Sequence, residues 1–288
     1  MRCKVCGSEK TKYMFDLAEK HSIYACLSCG VQFMEPQLTD VEINTLYSEG
    51  YYKSWGIAGN SENESSKQMK IASFLLRLKL IKKFVSSGRV LDIGCATGFF
   101  LEAARDSGYM PYGVELSEYS SSIAKKKFGT EVVFNGKLED CSFVPAQFNV
   151  ITMFDLIEHV RFPAETLSHA CRLLASDGVI VITTPDNKSL SNAIMGRRWT
   201  HYKKEHFYYF DNKSLAYIAG QNNLEIVHAE KSKKTLNIDY LHTQLNVYRH
   251  WLFTPVANLL HFLLPKAVTK SNFHISIGEI TVVLKKKK

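Results

Sequence analysis

The sequence predicts an α/β fold in which a parallel, doubly wound sheet is preceded by a small metal-bound ribbon. Three observations carry that expectation. Strand-like and helix-like segments alternate from residue 89 onward, a glycine-bearing turn follows the first of those strands, and two C-x-x-C-G knuckles stand ahead of them. Such alternation argues for parallel strands joined by crossover helices. At 288 residues, 45% hydrophobic and 22% charged, the chain can hold one α/β domain plus an accessory module, and its composition is not that of a disordered protein.

Residues 1–36 hold "CKVCG" (Cys3, Cys6) and "CLSCG" (Cys26, Cys29). Each knuckle can place two thiolates on one cation, with the glycine relieving the tight backbone. The pairs enclose 19 residues, a spacing suited to a four-cysteine zinc site. Zinc is expected over iron, in a closed and therefore structural site. The metal would supply most of the folding free energy of so small a ribbon. Cys95, Cys141 and Cys171 stand alone, so this is no disulfide framework. The opening "MRCKVCGSEK" has no apolar leader, which predicts a cytoplasmic protein with reduced thiols.

Residues 37–87 read as a helical connector. "LTDVEINTLYSEGYY" predicts a short helix capped at Thr39 or Asp40, and Gly59–Lys67 a polar loop. "QMKIASFLLRLKLIKKFVSSG" predicts a helix that ends at Gly88. The third unit, 88–288, carries strands expected at 89–95, 112–116, 131–136, 148–154 and 178–185. Helices are expected from Gly98 and over 117–128, with later strands at 224–230 and 279–285.

"VLDIGCATGFF" joins the first strand to the first helix of that unit. Gly94 and Gly98 let the backbone pass close to a ligand, and the helix N-terminus offers free amides. Glu115 lies seventeen residues after Gly98, at the end of the next strand, where a carboxylate can accept both hydroxyls of a ribose. The spacing Asp92-x-Gly94-x-x-x-Gly98 is not the G-x-G-x-x-G of a dinucleotide site.

At these residues the chain resembles the class I S-adenosylmethionine-dependent methyltransferases, over roughly residues 70–232 and the final strand. "LDIGCATG", "GVELS", "FDLIEHV" and "GRRWTHYKKEHFYYF" carry the resemblance. The last two are similar to a bacterial subgroup of sugar, polysaccharide and quinone methyltransferases, and the ribbon resembles the N-terminal module of sugar C-methyltransferases. The resemblance implies a Rossmann-like, seven-stranded mixed sheet with S-adenosylmethionine as cofactor. It implies that Asp92 and the turn through Gly94, Cys95 and Gly98 receive the methionine portion, and that Glu115 holds the ribose. The backbone amide of Leu138 would meet adenine, and Phe154 and Asp155 would border the methyl donor. Lys137 departs from the pattern, since many members carry an acidic or amide side chain there.

"FDLIEHV" puts Asp155, Glu158 and His159 on one face if the segment is helical. Methyl transfer is an in-line displacement, in which alignment supplies much of the barrier reduction. An alcohol acceptor also benefits from a base, for which His159 and His206 are the candidates, with Glu158 as support. The partial match of D-x-x-E-H to a divalent-ion pattern in some members implies a second reading, a carboxylate–imidazole metal site completed by His206. The third reading is structural: Glu158 and His159 begin a helix, and His206 packs between Trp199 and the "FYYF" aromatics.

A hydrophobic insertion is expected at about 235–275. Its segment 247–268, "VYRHWLFTPVANLLHFLLPKAV", has an apolar core too short to span a bilayer. Three roles stay open for it: a helical lid, a homodimer face, or an interfacial helix making peripheral contact with the inner membrane face. The expected activity is methyl transfer from S-adenosylmethionine to a sugar, glycan or other small or lipid-linked acceptor, at oxygen more than at carbon. One rival is an RNA methyltransferase using the ribbon and the net charge of +8, against which the ribbon shows no dense basic stripe. The other is a non-catalytic scaffold of the same fold.

Overall fold

The computed structural model describes residues 1–46, 64–247 and 253–287. The N-terminal ribbon is an antiparallel meander of β1 (Thr11–Ala18), β2 (His21–Cys26) and β3 (Gln32–Glu35). Helix α1 (Asp40–Leu46) follows, capped by Thr39: Glu42 N donates to Thr39 Oγ1 at 3.3 Å and Thr39 N donates to Glu42 Oε2 at 2.7 Å. Helix α2 (Glu64–Ile81) ends seven residues short of the expected Gly88, which instead opens a strand at φ +125°. Of the expected loop Gly59–Lys67, residues 59–63 lie outside the described residues and the rest begin α2.

Seven strands then build a mixed sheet in the order β10-β13-β8-β7-β4-β5-β6. They are β4 (Gly88–Ile93), β5 (Tyr109–Glu115), β6 (Val133–Asn135), β7 (Phe148–Phe154), β8 (Leu174–Pro185), β10 (Leu224–Lys231) and β13 (Glu279–Lys286). Strands β4 to β8 pair in parallel, and β13 lies antiparallel between β8 and β10. Four of the six residues of β4 are buried, as a strand covered on both faces must be. The helices that cover the sheet include α3 (Phe99–Asp106), α4 (Glu118–Phe128), α5 (Pro163–Leu173) and α7 (Asn212–Gln221), and the short α6 (Leu190–Met195) follows β8.

Two strands start earlier than their apolar runs suggest, β5 at Tyr109 and β8 at Leu174, because both residues are buried ladder partners. The third strand shrinks to Val133–Asn135. The stretch 155–161 is a turn, and helix α5 begins only at Pro163, so "FDLIEHV" is not a helical face.

The ribbon shares both sheet and core with the rest of the chain. The two-residue β9 (Tyr208–Tyr209) pairs with β3, Gln32 opposite Tyr209 and Phe33 opposite Tyr208. Cys3, Cys26, Cys29, Phe33 and Met34 belong to one apolar cluster with Trp199, Phe207, Tyr208 and Leu215. A bound metal would therefore not be alone in stabilising the ribbon, because its apolar face is buried against the larger domain.

The insertion leaves through β11 (Lys234–Leu236) and returns through β12 (Phe273–Ile275), which pair antiparallel. Between them stand α8 (Ile238–Val247), α9 (Phe253–Leu263) and α10 (Lys266–Thr269), and residues 248–252 lie outside the described residues. No described helix is long and apolar enough to cross a membrane.

Candidate cofactor and acceptor site

Strands β5, β4, β7 and β8 are neighbours in the sheet and run parallel, so their carboxyl ends border the crevice where ligands of doubly wound sheets lie. At its floor is the turn after β4. Gly94, Ala96 and Gly98 have φ of +79°, +46° and +87°, a left-handed path that brings the backbone back on itself. The amides of the turn itself, which precede those expected to be free at the helix N-terminus, are engaged. Gly94 N and Cys95 N donate to Val114 O at 2.8 and 3.1 Å, Ala96 N donates to Glu115 Oε2 at 2.9 Å, and Gly98 N donates to Cys95 O at 2.9 Å. These bonds preform the turn. Cys95 contributes backbone only, since its thiol is buried and pushed well above its ordinary pKa by desolvation.

Glu115 is 7% exposed, and its Oε1 also accepts from Ser117 N at 2.8 Å, so both carboxylate oxygens are oriented by amides. Burial raises its pKa. Asp92 is equally sequestered and accepts from Thr152 Oγ1 at 2.6 Å. Burial lifts its carboxyl to about 7, with Glu115 adding to the rise and Thr152 and Arg77 opposing it. Leu138 is buried and opens a 3-10 turn beyond β6. Phe154 turns toward the core, edge-on to Phe100 at 5.1 Å and beneath the Arg77 guanidinium at 4.6 Å.

Arg77 was not legible in the sequence. It projects from α2, is 5% exposed, and its Nε and Nη2 have no hydrogen-bond partner. Its Nη2 lies 3.6 Å from Asp155 Oδ2, and Lys234 Nζ lies 3.6 Å from Asp155 Oδ1. Lys234 also pairs with Glu279, which is buried at the start of β13. Burial pushes the Asp155 carboxyl up, but Lys234 and then Arg77 outweigh it and hold the group below its usual pKa. Asp155 sits at φ +53°, so its backbone is strained into this ion-pair group. It is thereby separated from the other acidic–histidine residues.

Those residues do come together. One ligand atom from each of Glu158, His159 and His206 lies within 4.8 Å of the other two. Glu158 is 1% exposed and its Oε2 accepts from Thr184 Oγ1 at 2.9 Å. Burial, then the Asp155 charge, raises its pKa to about 8. His159 Nδ1 stands 2.9 Å from Glu205 O, and a carbonyl only accepts, so Nδ1 carries the proton and the lone pair lies on Nε2. Burial lowers His159 to about 4 and His206 well below its usual value, so both rings are neutral at pH 7. His206 meets His159 edge-on at 4.7 Å and Tyr209 at 5.9 Å, and its buried Nδ1 has no partner. Two neutral imidazoles, an orphaned ring nitrogen and a carboxyl fit a divalent cation. A base of such low pKa would take a proton poorly.

The two groups meet at Leu156. A Cβ added at Gly94 would lie 3.0 Å from Leu156 Cδ1, so the loop carrying Glu158 and His159 rests directly on the glycine turn. In the ribbon, Cys3, Cys6, Cys26 and Cys29 bring their sulfurs within 4.8 Å of one another. Cys3 and Cys29 sulfurs are 3.8 Å apart and those of Cys6 and Cys26 3.4 Å apart, close to the edge of about 3.8 Å in a tetrahedron with zinc–sulfur bonds of about 2.3 Å. The donor set fits zinc.

A family model described as "Methyltransferase domain" matches residues 66–229, more than half of the chain. The chain is 29% identical over 127 residues to the mitochondrial ubiquinone biosynthesis O-methyltransferase of Schizosaccharomyces pombe, covering 42% of this chain and 44% of that protein. It is 32% identical over 123 residues to the ubiquinone biosynthesis O-methyltransferase of Bordetella parapertussis, covering 40% and 51%. It thus spans about half the length of the curated relatives it matches. Among solved structures, the magnesium protoporphyrin IX methyltransferase of Synechocystis PCC 6803, with S-adenosylhomocysteine bound, superposes at a TM-score of 0.54 and 13% identity, covering 86% of this chain and all of that one. At that identity the likeness shows the fold alone.

Proposed function

We propose that this chain, which belongs to the methyltransferase domain family, transfers a methyl group from S-adenosylmethionine to a phenolic oxygen of a quinone precursor. The observation that carries the reading is Leu156 seated on Gly94. It sets a proton- or cation-handling cluster beside a turn built for a nucleoside cofactor, as an in-line transfer to oxygen requires. The relatives are named for ubiquinone biosynthesis, so the sugar or glycan acceptor expected from the ribbon gives way to an aromatic one.

Glu115 holds the ribose hydroxyls through the lone pairs its two amide bonds leave. Asp92 faces the ammonium of the methionine portion, and Arg77, whose Nε has no hydrogen-bond partner, faces its carboxylate. Leu138 lines the adenine side. Glu158, His159 and His206 hold a divalent cation, which when bound lowers the pKa of an acceptor hydroxyl. Asp155, fixed by Arg77 and Lys234, closes the wall between the two ligands. Cys3, Cys6, Cys26 and Cys29 hold a structural zinc.

The test supplies labelled S-adenosylmethionine with an isoprenoid-substituted catechol, a glycan mixture and total RNA in parallel. Label on the phenolic oxygen is the expected result, and label in glycan or RNA alone overturns the acceptor. Glu115→Ala should weaken cofactor binding at least about tenfold by calorimetry, since two hydrogen bonds to a charged group are lost. Unchanged affinity would overturn the cofactor site.

A further inference from the structure

Helix α9 packs inside out. Its polar side faces the protein: Thr254 Oγ1 donates to Leu245 O at 2.9 Å, and Asn246 Nδ2 donates to Asn258 Oδ1 at 3.0 Å. His261 stacks on His242 at 4.0 Å, with its Nε2 3.4 Å from Asp239 Oδ1. The opposite side is apolar and open. Val256, Leu259, Leu260, Phe262 and Leu263 are 48, 56, 42, 84 and 64% exposed. A surface helix of a water-soluble domain shows the reverse arrangement, with its apolar stripe on the core. Here polar contacts to α8 fix the rotation of α9 and turn the apolar stripe outward.

Charge identifies what this face meets. Residues 240–278 contain no Asp or Glu, and the exposed Lys266 and Lys270 follow directly on the apolar stripe. Asp239 lines the same cleft as Lys266 and Lys270 and faces His261 at 3.4 Å, so two copies of this face brought together would set one carboxylate against two lysines in each copy. A bilayer bearing phosphate headgroups satisfies both features, because acyl chains accept the apolar side chains and headgroup phosphates accept the lysines. We propose that α9 and α10 form a docking surface for an anionic lipid bilayer.

The position of the surface gives it a use. The insertion leaves the sheet through β11, whose Lys234 reaches Asp155 at the wall of the crevice. A membrane-bound α9 therefore holds the mouth of the site near the lipid phase, where an isoprenoid-tailed acceptor resides. The surface stands on geometry and charge, and only this use rests on the proposed function.

The full chain is floated with vesicles of phosphatidylcholine, alone or mixed with phosphatidylglycerol, at low and high salt. Expected is flotation with the mixed vesicles that weakens as salt rises. Phe262→Ser with Leu263→Ser should cut partition at least about tenfold, from two lost apolar insertions. Lys266→Glu with Lys270→Glu should cut it at least about tenfold, on the anionic vesicles only. Circular dichroism of each variant should match that of the wild type, since all four side chains are exposed. Wild-type protein that stays in solution with both vesicles overturns the proposal, as does a serine variant that floats normally. A vesicle-free dimer that the serine variant converts to monomer also overturns it, in favour of a second copy. Flotation is read without methyl transfer, so a failed acceptor assay and a failed docking surface are told apart.

Discussion

Asp92 carries a pH dependence that cofactor binding should reveal. Its carboxyl, 4% exposed and lifted to about 7 by burial and by Glu115, is partly protonated at neutral pH. A cationic methionine portion beside it favours the ionised form, so binding expels the proton. Affinity for S-adenosylmethionine should fall by up to about tenfold per pH unit below 7 and level off above it. Calorimetry from pH 6 to 8 reads this, and Asp92→Asn should bind more weakly with most of the slope gone, leaving what Glu115 contributes. At the acceptor side, His206→Ala removes a buried ring whose Nδ1 has no partner, so the fold loses packing but no hydrogen bond at that atom. Turnover should fall at least about a hundredfold while cofactor affinity changes little, as expected for a lost cation ligand. The turn after Asp92 was legible because a strand-to-helix turn this tight needs glycine at Gly94 and Gly98, at local spacing. Arg77, Lys234 and Glu279 were not, because long-range folding brings them together from α2, β11 and β13 and nothing local marks them.

At the scale of elements, α2 does more than connect. Lys67 pairs with Glu102 of α3 at 3.3 Å, and Ser73 Oγ accepts from Thr235 N of β11 at 2.8 Å. The helix is thereby held against α3 and β11 and sets Arg77 beside Asp155. Arg77→Met keeps the apolar stem over Phe74 and Phe154 but removes the charge. Cofactor affinity should drop at least about tenfold, with helical content unchanged by circular dichroism. The strand–helix alternation was readable because each buried run and each amphipathic helix announces itself over many residues. Segment 155–161 was not: its charged residues share i, i+3, i+4 spacing, yet Asp155 at φ +53° breaks the helix before it can start. Strand β9 escaped for a different reason. Two residues have no period, and "YY" becomes a strand only because β3 offers an edge.

Across the whole molecule, that edge couples the ribbon to the site. Met34 N of β3 donates to Phe207 O at 2.9 Å, and Phe207 N donates to Glu158 O at 2.8 Å. Two backbone hydrogen bonds thus separate the four-cysteine ribbon from a residue of the proposed acceptor cluster, and His206 is the neighbour of Phe207. Arg161 strengthens the link, its Nη2 donating to Leu38 O and pairing with Asp40 Oδ1, both at 2.8 Å. A ribbon that folded by itself would melt separately from the sheet and leave the chemistry intact. A ribbon whose Cys26, Phe33 and Met34 share a core with Trp199 and Tyr208 cannot. Cys26→Ser should therefore shift a single calorimetric transition, not remove one of two. The cost should be at least about 3 kcal/mol, roughly 6–12 °C for a chain of this size. Turnover of the variant should fall with cofactor affinity largely retained, because Asp92 and Glu115 lie beyond the coupled segment. Two separate transitions, or normal turnover in the variant, would show that the ribbon only adjoins the catalytic domain.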